Sequence, residues 1–152
     1  MKRLAALGLL RGEGAVPPRL LEACHEERLV GGLSLSLRAT PDEVVGPLTH
    51  AMGGAATKVR VLDVRSGPPM ALELGFGGGV TETWTVEDVD ALIEQLGDHF
   101  RDDDDVKPLV VLGEWEGMLQ VWALRADVLE VLLSTQLLDG ARNLAALRED
   151  YG

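Results

Sequence analysis

Four consecutive aspartates, Asp102 to Asp105, form the densest group of potential metal ligands in the sequence. Hard cations such as Ca²⁺ and Mg²⁺ need oxygen ligands that converge from fixed positions. Successive side chains of an extended segment point to opposite sides, so the four carboxylates cannot all face one ion. The calcium-loop spacing, with glycine at its sixth position, is also absent. We therefore expect no metal ion here, and the run is either a solvated loop or an acidic docking surface.

A second acidic group follows, in which Glu114 and Glu116 flank Trp115. An exposed tryptophan between two acids could anchor a basic, apolar partner, whereas a buried one would belong to the core. The size of the indole favours the core. We predict that Asp102 to Asp105, Glu114, Trp115 and Glu116 form the surface that meets a partner. If loop and turn lie at opposite ends of the sheet, only one of the two groups can belong to it.

Nucleophilic and acid–base chemistry finds little support in the sequence. Cys24 and His25 are adjacent, and neighbours on a helix point about 100° apart, which argues against a thiolate–imidazole pair. His50 and His99 have no partners at metal-ligand spacing. We predict no catalytic residue, no metal site and no cofactor.

Two further patterns have a structural explanation. Glu73 and Glu82 could approach each other on neighbouring strands, but no nearby histidine or lysine completes an acid–base set. The glycine-rich segment GFGGG at 75–79 joins two predicted strands. A phosphate-binding loop instead runs from a strand into a helix, so a hairpin turn is the better interpretation.

The composition limits the classes of partner. The chain has 152 residues, 46% of them hydrophobic, which is enough for one domain with its own core. Its formal net charge is −11, from 25 acids against 14 bases. Such a field opposes DNA or RNA binding and attracts cationic surfaces. We expect another protein with a basic surface as partner, and no nucleic acid.

The compartment is predicted from cysteine usage and from the N-terminal segment. Cys24 is the only cysteine, so no intrachain disulfide can form, which favours a reducing compartment. The segment MKRLAALGLLRGEGA begins like a signal peptide, but Arg11 interrupts its apolar run and no cleavage pattern follows. No other stretch approaches the ~20 apolar residues of a membrane span. We expect a cytoplasmic protein without membrane contact.

Hydrophobic periodicity predicts an α+β fold in a single domain, 1–152. A helical segment at 1–30 precedes a sheet with two helices at 33–124 and a C-terminal helix or helix pair at 126–149. Strands are predicted at 33–38, 57–65, 70–76, 80–86, 108–113 and 118–124. Because short turns join most of them, we expect a mainly antiparallel sheet of about five to six strands with helices packed on one face.

The two internal helices carry the strongest local signals. Thr40-Pro41 opens the helix at 41–52, and Pro47 inside it predicts a kink or an early end. The helix at 86–100 has an apolar stripe that includes Leu92 and Leu96, and Thr85 is its predicted cap. The first half of the C-terminal helix is apolar on most sides, which indicates deep burial or a homodimer contact through this helix.

Two segments, TVEDVDALIEQL at 85–96 and PLVVLGEWEGMLQVWAL at 108–124, resemble the capped helix and following hairpin of small immunity proteins from bacterial polymorphic toxin systems. This resemblance implies a non-enzymatic antitoxin that neutralises a toxin by binding it. The size, charge and α+β pattern also suit a class I chaperone of type III secretion effectors. A small enzyme or ligand-binding domain with an unrecognised site is the third alternative.

Overall fold

The computed structural model describes residues 2–152, which form six α-helices, one 3₁₀ helix and six strands. The helices are α1 (Lys2–Ala6), α2 (Leu20–His25), α3 (Pro41–Met52), α4 (Val89–Phe100), α5 (Ala126–Leu133) and α6 (Leu144–Tyr151), with the 3₁₀ helix at Gly54–Lys58. The strands are β1 (Gly32–Ser36), β2 (Arg60–Arg65), β3 (Met70–Gly75), β4 (Thr81–Val86), β5 (Leu109–Trp115) and β6 (Met118–Ala123).

The α+β class with antiparallel strands is confirmed, but the strands form two three-stranded sheets where the sequence suggested one. The chain divides into two compact units. Unit 1 contains the residues up to Leu37 and those from Leu109 onward, and unit 2 contains Arg38–Pro108. All six predicted strands are found, and each unit contains three of them.

In unit 1 the sheet order is β1-β6-β5, so β6, the last strand in the sequence, is the central strand of the sheet. Its Trp122 is fully buried, and the indole Nε1 donates a hydrogen bond to Val30 O at 2.9 Å. Leu129, Leu132 and Leu133 of α5 belong to the same buried cluster. The apolar first half of the C-terminal region thus packs into the core of its own unit, while the homodimer contact stays a prediction.

The outer edge of β5 is covered by the segment that leads into α6. Arg142 N donates to Val111 O at 2.8 Å. The Asn143 amide accepts from Val111 N and donates to Leu109 O, both at 2.9 Å. An uncovered edge would expose unpaired backbone groups to other chains, so these contacts protect the sheet.

The predicted C-terminal helix pair is found, with a break between Leu133 and Leu144. The hydroxyls of Ser134 and Thr135 donate to Val131 O and Leu132 O, each at 2.6 Å. Side chains that bind carbonyls of the last turn compete with continued helix formation, which explains the stop at this point.

Unit 2 has the sheet order β2-β3-β4 with α3 and α4. Leu92, Ile93 and Leu96 of α4 are buried, as the apolar stripe predicted. The predicted cap was wrong: Asp88, not Thr85, is the N-cap, and its Oδ1 accepts from Ala91 N at 2.7 Å. An aspartate in an extended conformation directly before the first turn is well placed for this bond.

Helix α3 begins as its sequence predicts and continues without interruption from Pro41 to Met52. Thr40 N donates to Glu43 Oε1 at 3.0 Å, and the bonds from Thr40 hold the pKa of Glu43 below its usual value. Pro47 lies inside the helix without ending it, and Gly53 follows the last helical residue. The early end allowed for at Pro47 is therefore not found.

The strand predicted at 57–65 is shorter in the structure, because the 3₁₀ helix extends to Lys58 and β2 begins at Arg60.

Candidate functional site

The four aspartates Asp102 to Asp105, called the acidic loop from here on, follow α4 in unit 2. The side chains of Asp102, Asp104 and Asp105 are exposed, and that of Asp103 is half-buried. The loop is neither strand nor helix, because hydrogen-bonded turns shape it. Three of the four carboxylates therefore face solvent, as a docking surface requires.

The backbone of the acidic loop is held by bonds to and from Asp103. Asp103 N donates to Phe100 O at 3.0 Å, and Val106 N donates to Asp103 O at 3.1 Å. The Asp103 carboxylate also accepts from Asp105 N at 3.1 Å. An aspartate that binds the backbone two residues on forms its own turn. Val106 is buried directly after the run, so the loop is tied down on both sides of Asp103.

A second anchor joins the acidic loop to the end of α3. Lys107 N donates to Met52 O at 2.8 Å. Gly54 has φ +55°, and a Cβ on it would lie only 2.5 Å from Asp105 O. Such a distance is a clash, so glycine is required here both for its backbone angle and for this close approach. Gly54, which packs against this loop, lies just over fifty positions before Asp105 in the sequence.

The electrostatic character of the acidic loop is simple. Within the part of the chain that the structure describes, none of its four carboxylates takes part in a salt bridge. Four acidic residues therefore lie together on one backbone segment, and three of their carboxylates face solvent. Over residues 2–152, no three His, Cys, Asp or Glu residues are grouped so that they could hold a metal ion.

The second predicted group, Glu114 to Glu116, lies in unit 1 at the hairpin between β5 and β6. Glu114 Oε1 accepts from Arg142 Nη2 at 2.6 Å, so its charge is paired. Trp115 is half-buried, and the guanidinium carbon of Arg19 lies 5.6 Å from its ring centroid. This is the distance of a cation–π contact. Trp115 is therefore neither a core residue nor a freely exposed anchor.

Glu116 is exposed and occupies the turn with φ 54°, followed by Gly117. The acidic loop belongs to unit 2 and the hairpin turn to unit 1. Among the acids of the predicted surface, Glu114 is in a salt bridge, whereas Glu116 and the acidic loop form none within residues 2–152.

The strand glutamates do not form a carboxylate pair. Glu73 is opposite Thr83 and Glu82 is opposite Leu74, so the two side chains lie on opposite faces of the sheet. Glu82 Oε1 accepts instead from Trp84 Nε1 at 3.1 Å, and its other oxygen lies 3.9 Å from His99 Nδ1. An aromatic cluster surrounds these groups, in which His99 stacks on Phe76 with centroids 4.4 Å apart. This cluster was not predicted.

Cys24 and His25 also point to different partners. The Cys24 thiol lies 3.7 Å from Leu33 O and 3.6 Å from Val121 O, and burial raises its pKa to about 11. His25 Nδ1 faces Gln120 Nε2 at 3.3 Å. A thiol with so high a pKa is a poor nucleophile. Its environment is that of a structural core residue.

Gln120 was missed by the sequence analysis. It is fully buried in the central strand β6, and its Oε1 accepts from Ser34 Oγ at 2.6 Å. The only signal in the sequence was a single glutamine within the apolar run MLQVWAL. A buried amide needs hydrogen-bond partners, and Gln120 finds one in Ser34, which lies opposite it on β1.

Comparison of the chain with family models, with curated proteins and with solved structures found no match. None of the helices within residues 2–152 combines the length and the apolar character needed to cross a membrane.

Proposed function

We propose that this protein is a non-enzymatic binding module that engages a basic surface of another protein through the acidic loop. The observation that carries the proposal is the combination of four carboxylates without ion pairs and a backbone that fixed hydrogen bonds hold in place. A surface that is already ordered before binding loses little conformational entropy when a partner docks.

The net charge of −11 supports the same role. Negative charges on a surface attract a cationic partner over about one Debye length, which is ~8 Å at physiological ionic strength. Charges of this kind mainly raise the association rate and select against acidic partners. The acidic loop would therefore set the speed and orientation of the encounter more than the lifetime of the complex.

Within this class, we propose an immunity-type protein that acts in the cytoplasm and neutralises a toxin by occupying its basic active surface. The proposal rests on the resemblance of residues 85–96 and 108–124 to such proteins and on the acidic loop, which lies between these two segments. An effector chaperone remains the alternative, and it predicts a secretion substrate as partner.

The test begins with capture of the partner by a tagged chain in its native host, followed by association kinetics at low and high salt. Changing Asp102 to Asp105 to asparagine removes the charge and keeps an oxygen at Asp103 that can accept from Asp105 N. We expect association to slow several-fold at low salt, with dissociation nearly unchanged.

The matched control removes the same charge from exposed positions of unit 1: Glu13, Glu26, Glu130 and Glu149, each changed to glutamine. This control should slow association much less. If both quadruple variants slowed it equally, net charge alone would steer the partner. If neither did, the acidic loop would be only a solvated loop.

A further inference from the structure

Strands β2 and β4 form the two edges of the sheet of unit 2, and they differ in how they are protected. Proteins commonly close such edges with charged residues or bulges, which prevent pairing with another chain. β2 has three charged residues and a bulge between Val61 and Asp63. The Asp63 carboxylate also accepts from Val64 N at 2.9 Å, which occupies a backbone donor of this strand. β2 is therefore poorly suited to bind a further strand.

β4 has none of these features. Its sequence is TETWTV, in which Glu82 is the only charged residue. Its ladder with β3 is regular over all six residue pairs, without a bulge. Four of its side chains are exposed: Thr81, Glu82, Thr83 and Thr85. Because β-branched and aromatic residues favour extended structure, this edge is both accessible and suited to pairing.

The free edge of β4 presents the backbone groups of its three threonines. Phe76 N donates to Val80 O at 2.9 Å, just before the strand begins. Bonded and non-bonded residue pairs alternate along an antiparallel ladder, so the N–H and C=O groups of Thr81, Thr83 and Thr85 point away from β3. A further strand beside β4 would meet all of these groups.

One side chain of α4 reaches this edge. Gln95 Nε2 donates to Thr85 O at 2.9 Å, in agreement with the outward direction of that carbonyl. A carbonyl oxygen has two lone pairs, so Thr85 O can still accept from another strand. No other outward backbone group of the three threonines forms a hydrogen bond within residues 2–152. The edge therefore offers both donors and acceptors.

The sequence of β4 is complementary to itself in one antiparallel register. When Thr83 lies opposite Thr83 of a second copy, Thr81 lies opposite Thr85. Threonine pairs across strands stabilise a sheet, and here all three threonines form such pairs. On the other face of the sheet Glu82 lies opposite Trp84 of the second copy. These two residue types already bond within one chain, where Trp84 Nε1 donates to Glu82 Oε1 at 3.1 Å.

The neighbouring registers are less favourable. A shift of two residues in one direction places Glu82 directly opposite Glu82 of the second copy, and like charges in that position destabilise a sheet. A shift of two residues in the other direction leaves Thr81 without a partner inside the strand. A shift of one residue reverses the faces of the sheet. The register centred on Thr83 is therefore preferred.

We propose that two copies of this chain pair edge to edge through β4, antiparallel and centred on Thr83, so that their β2-β3-β4 sheets become one continuous sheet. Each threonine pair contributes two backbone hydrogen bonds to the contact. A single pair of strands buries less than the ~1,200 Å² at the low end of specific interfaces, so the dimer forms reversibly and weakly. The contact is independent of the proposed binding of a basic partner.

Sedimentation of the full chain between about 5 and 500 µM should show a reversible equilibrium between monomer and dimer, since weak interfaces have micromolar dissociation constants. Salt should strengthen the dimer, because it screens the repulsion between two chains that each carry a charge of −11. The proposed association with a basic partner weakens with salt instead. The two contacts are therefore distinguished by the same variable.

Thr83→Pro removes the N–H at the centre of the contact and leaves the ladder with β3 intact, because that N–H points outward. The dimer should dissociate at least about ten-fold more readily, since each copy loses one hydrogen bond. Thr83→Lys should weaken it several-fold by placing two ammonium groups opposite each other, although the variant lowers the net negative charge. Gln136→Lys makes the same charge change at an exposed position of unit 1 and should not weaken the dimer.

Cross-linking tests the register itself. The Cα atoms of a bonded antiparallel pair lie about 5.5 Å apart, within the ~4.4–6.8 Å of disulfides. Thr83→Cys should therefore give a disulfide-linked dimer with oxidised glutathione. Thr81→Cys is the matched control, because the two copies of position 81 would lie roughly 13 Å apart, four positions along the strands. The natural Cys24 is buried and should not cross-link.

Circular dichroism establishes that each variant is folded. A natural chain that remained monomeric at about 500 µM would overturn the proposal. A dimer that Thr83→Pro left intact would overturn it too, because the contact would then lie elsewhere, for example at the C-terminal helix. Equal cross-linking through positions 83 and 81 would contradict the register.

A different occupant of the edge also has a distinct result. If the natural chain were monomeric and Thr83→Pro abolished binding of the captured partner protein, the edge would serve that protein and not a second copy. Changing Asp102 to Asp105 to asparagine should not weaken the dimer, because the acidic loop takes no part in it. Failure of this proposal and failure of the proposed function therefore give different results.

Discussion

The side chain of Asn143 lies beside Val111 as a neighbouring strand would, with its Oδ1 accepting from Val111 N at 2.9 Å. Its Nδ2 donates at the same distance to Leu109 O, and Arg142 N donates to Val111 O. One amide therefore supplies both a donor and an acceptor to the edge of β5. These bonds cover the outer edge of β5 at Leu109 and Val111.

Asn143→Ala should lower the free energy of unfolding by about 1–3 kcal/mol, because it leaves two half-buried backbone groups of β5 without partners. Urea unfolding measures the change. Asn143→Asp keeps the acceptor for Val111 N but places a carboxylate oxygen against Leu109 O, so it should not restore the stability of the natural chain. Gln136→Ala, at an exposed position of the preceding segment, is the control and should have little effect. An Asn143→Ala variant as stable as this control would show that water replaces the amide without cost.

Gly97→Ala should stabilise the protein by about 0.5–1 kcal/mol, since glycine inside a helix loses more conformational entropy than alanine. Gly97 lies within α4, and a Cβ there meets no atom within 4 Å. Gly46→Ala in α3 has the same free space but should gain less, because a Cβ before Pro47 disfavours the helical conformation. Thermal unfolding of both variants makes the comparison. Equal gains would argue against the proline effect.

The buried Cys24 thiol should make stability depend on pH in the alkaline range. Its pKa is about 11 in the folded protein against an ordinary value of 9.0. Between these values an unfolded chain releases the proton and the folded chain keeps it, so stability falls as pH rises. The loss should approach about 2–3 kcal/mol near pH 11.

Urea unfolding of the natural chain and of Cys24→Ala at pH 8 and pH 10.5 tests this linkage. The alanine variant should be less stable than the natural chain at both pH values. Its free energy of unfolding should fall less between pH 8 and pH 10.5, because it has no thiol to ionise. Parallel declines in the two proteins would show that other groups cause it.

Leu92→Asp should unfold unit 2, because Leu92 is fully buried on α4 and an unpaired carboxylate would replace it in the core. The expected loss is at least ~3 kcal/mol. Glu94→Asp, two residues away at an exposed position, provides the control. Circular dichroism on heating distinguishes the two, and an unchanged melting curve for Leu92→Asp would contradict the packing of α4.

Helices whose signals lie within a few neighbouring residues could be predicted from the sequence. The start of α3 is determined by Thr40, Pro41 and Glu43, which lie within one turn. The apolar stripe of α4 likewise determines which side chains are buried. Both helices are found close to their predicted positions. Even the error at the start of α4 is local, since Asp88 and Thr85 are both suitable caps and only the backbone angles decide between them.

Features that depend on distant residues could not be predicted. The strands form two sheets instead of one, and β1 pairs with β6, from which more than eighty residues separate it in the sequence. The same is true of the candidate site. The aspartate run was evident in the sequence, but its anchoring by Gly54 and Met52 was not. The ion pair between Glu114 and Arg142, 28 residues apart in the sequence, could not be predicted either.

Unit 1 is built from two segments separated by the whole of unit 2, and this arrangement has a consequence for synthesis on the ribosome. Unit 2 is one continuous stretch, Arg38–Pro108, and can close as soon as it has emerged. Strand β1 has left the ribosome by then, but its partner β6 has not been translated. The bond from Trp122 to Val30 spans 92 residues. Strand β1 must therefore remain without its partner strand during the time in which unit 2 can fold.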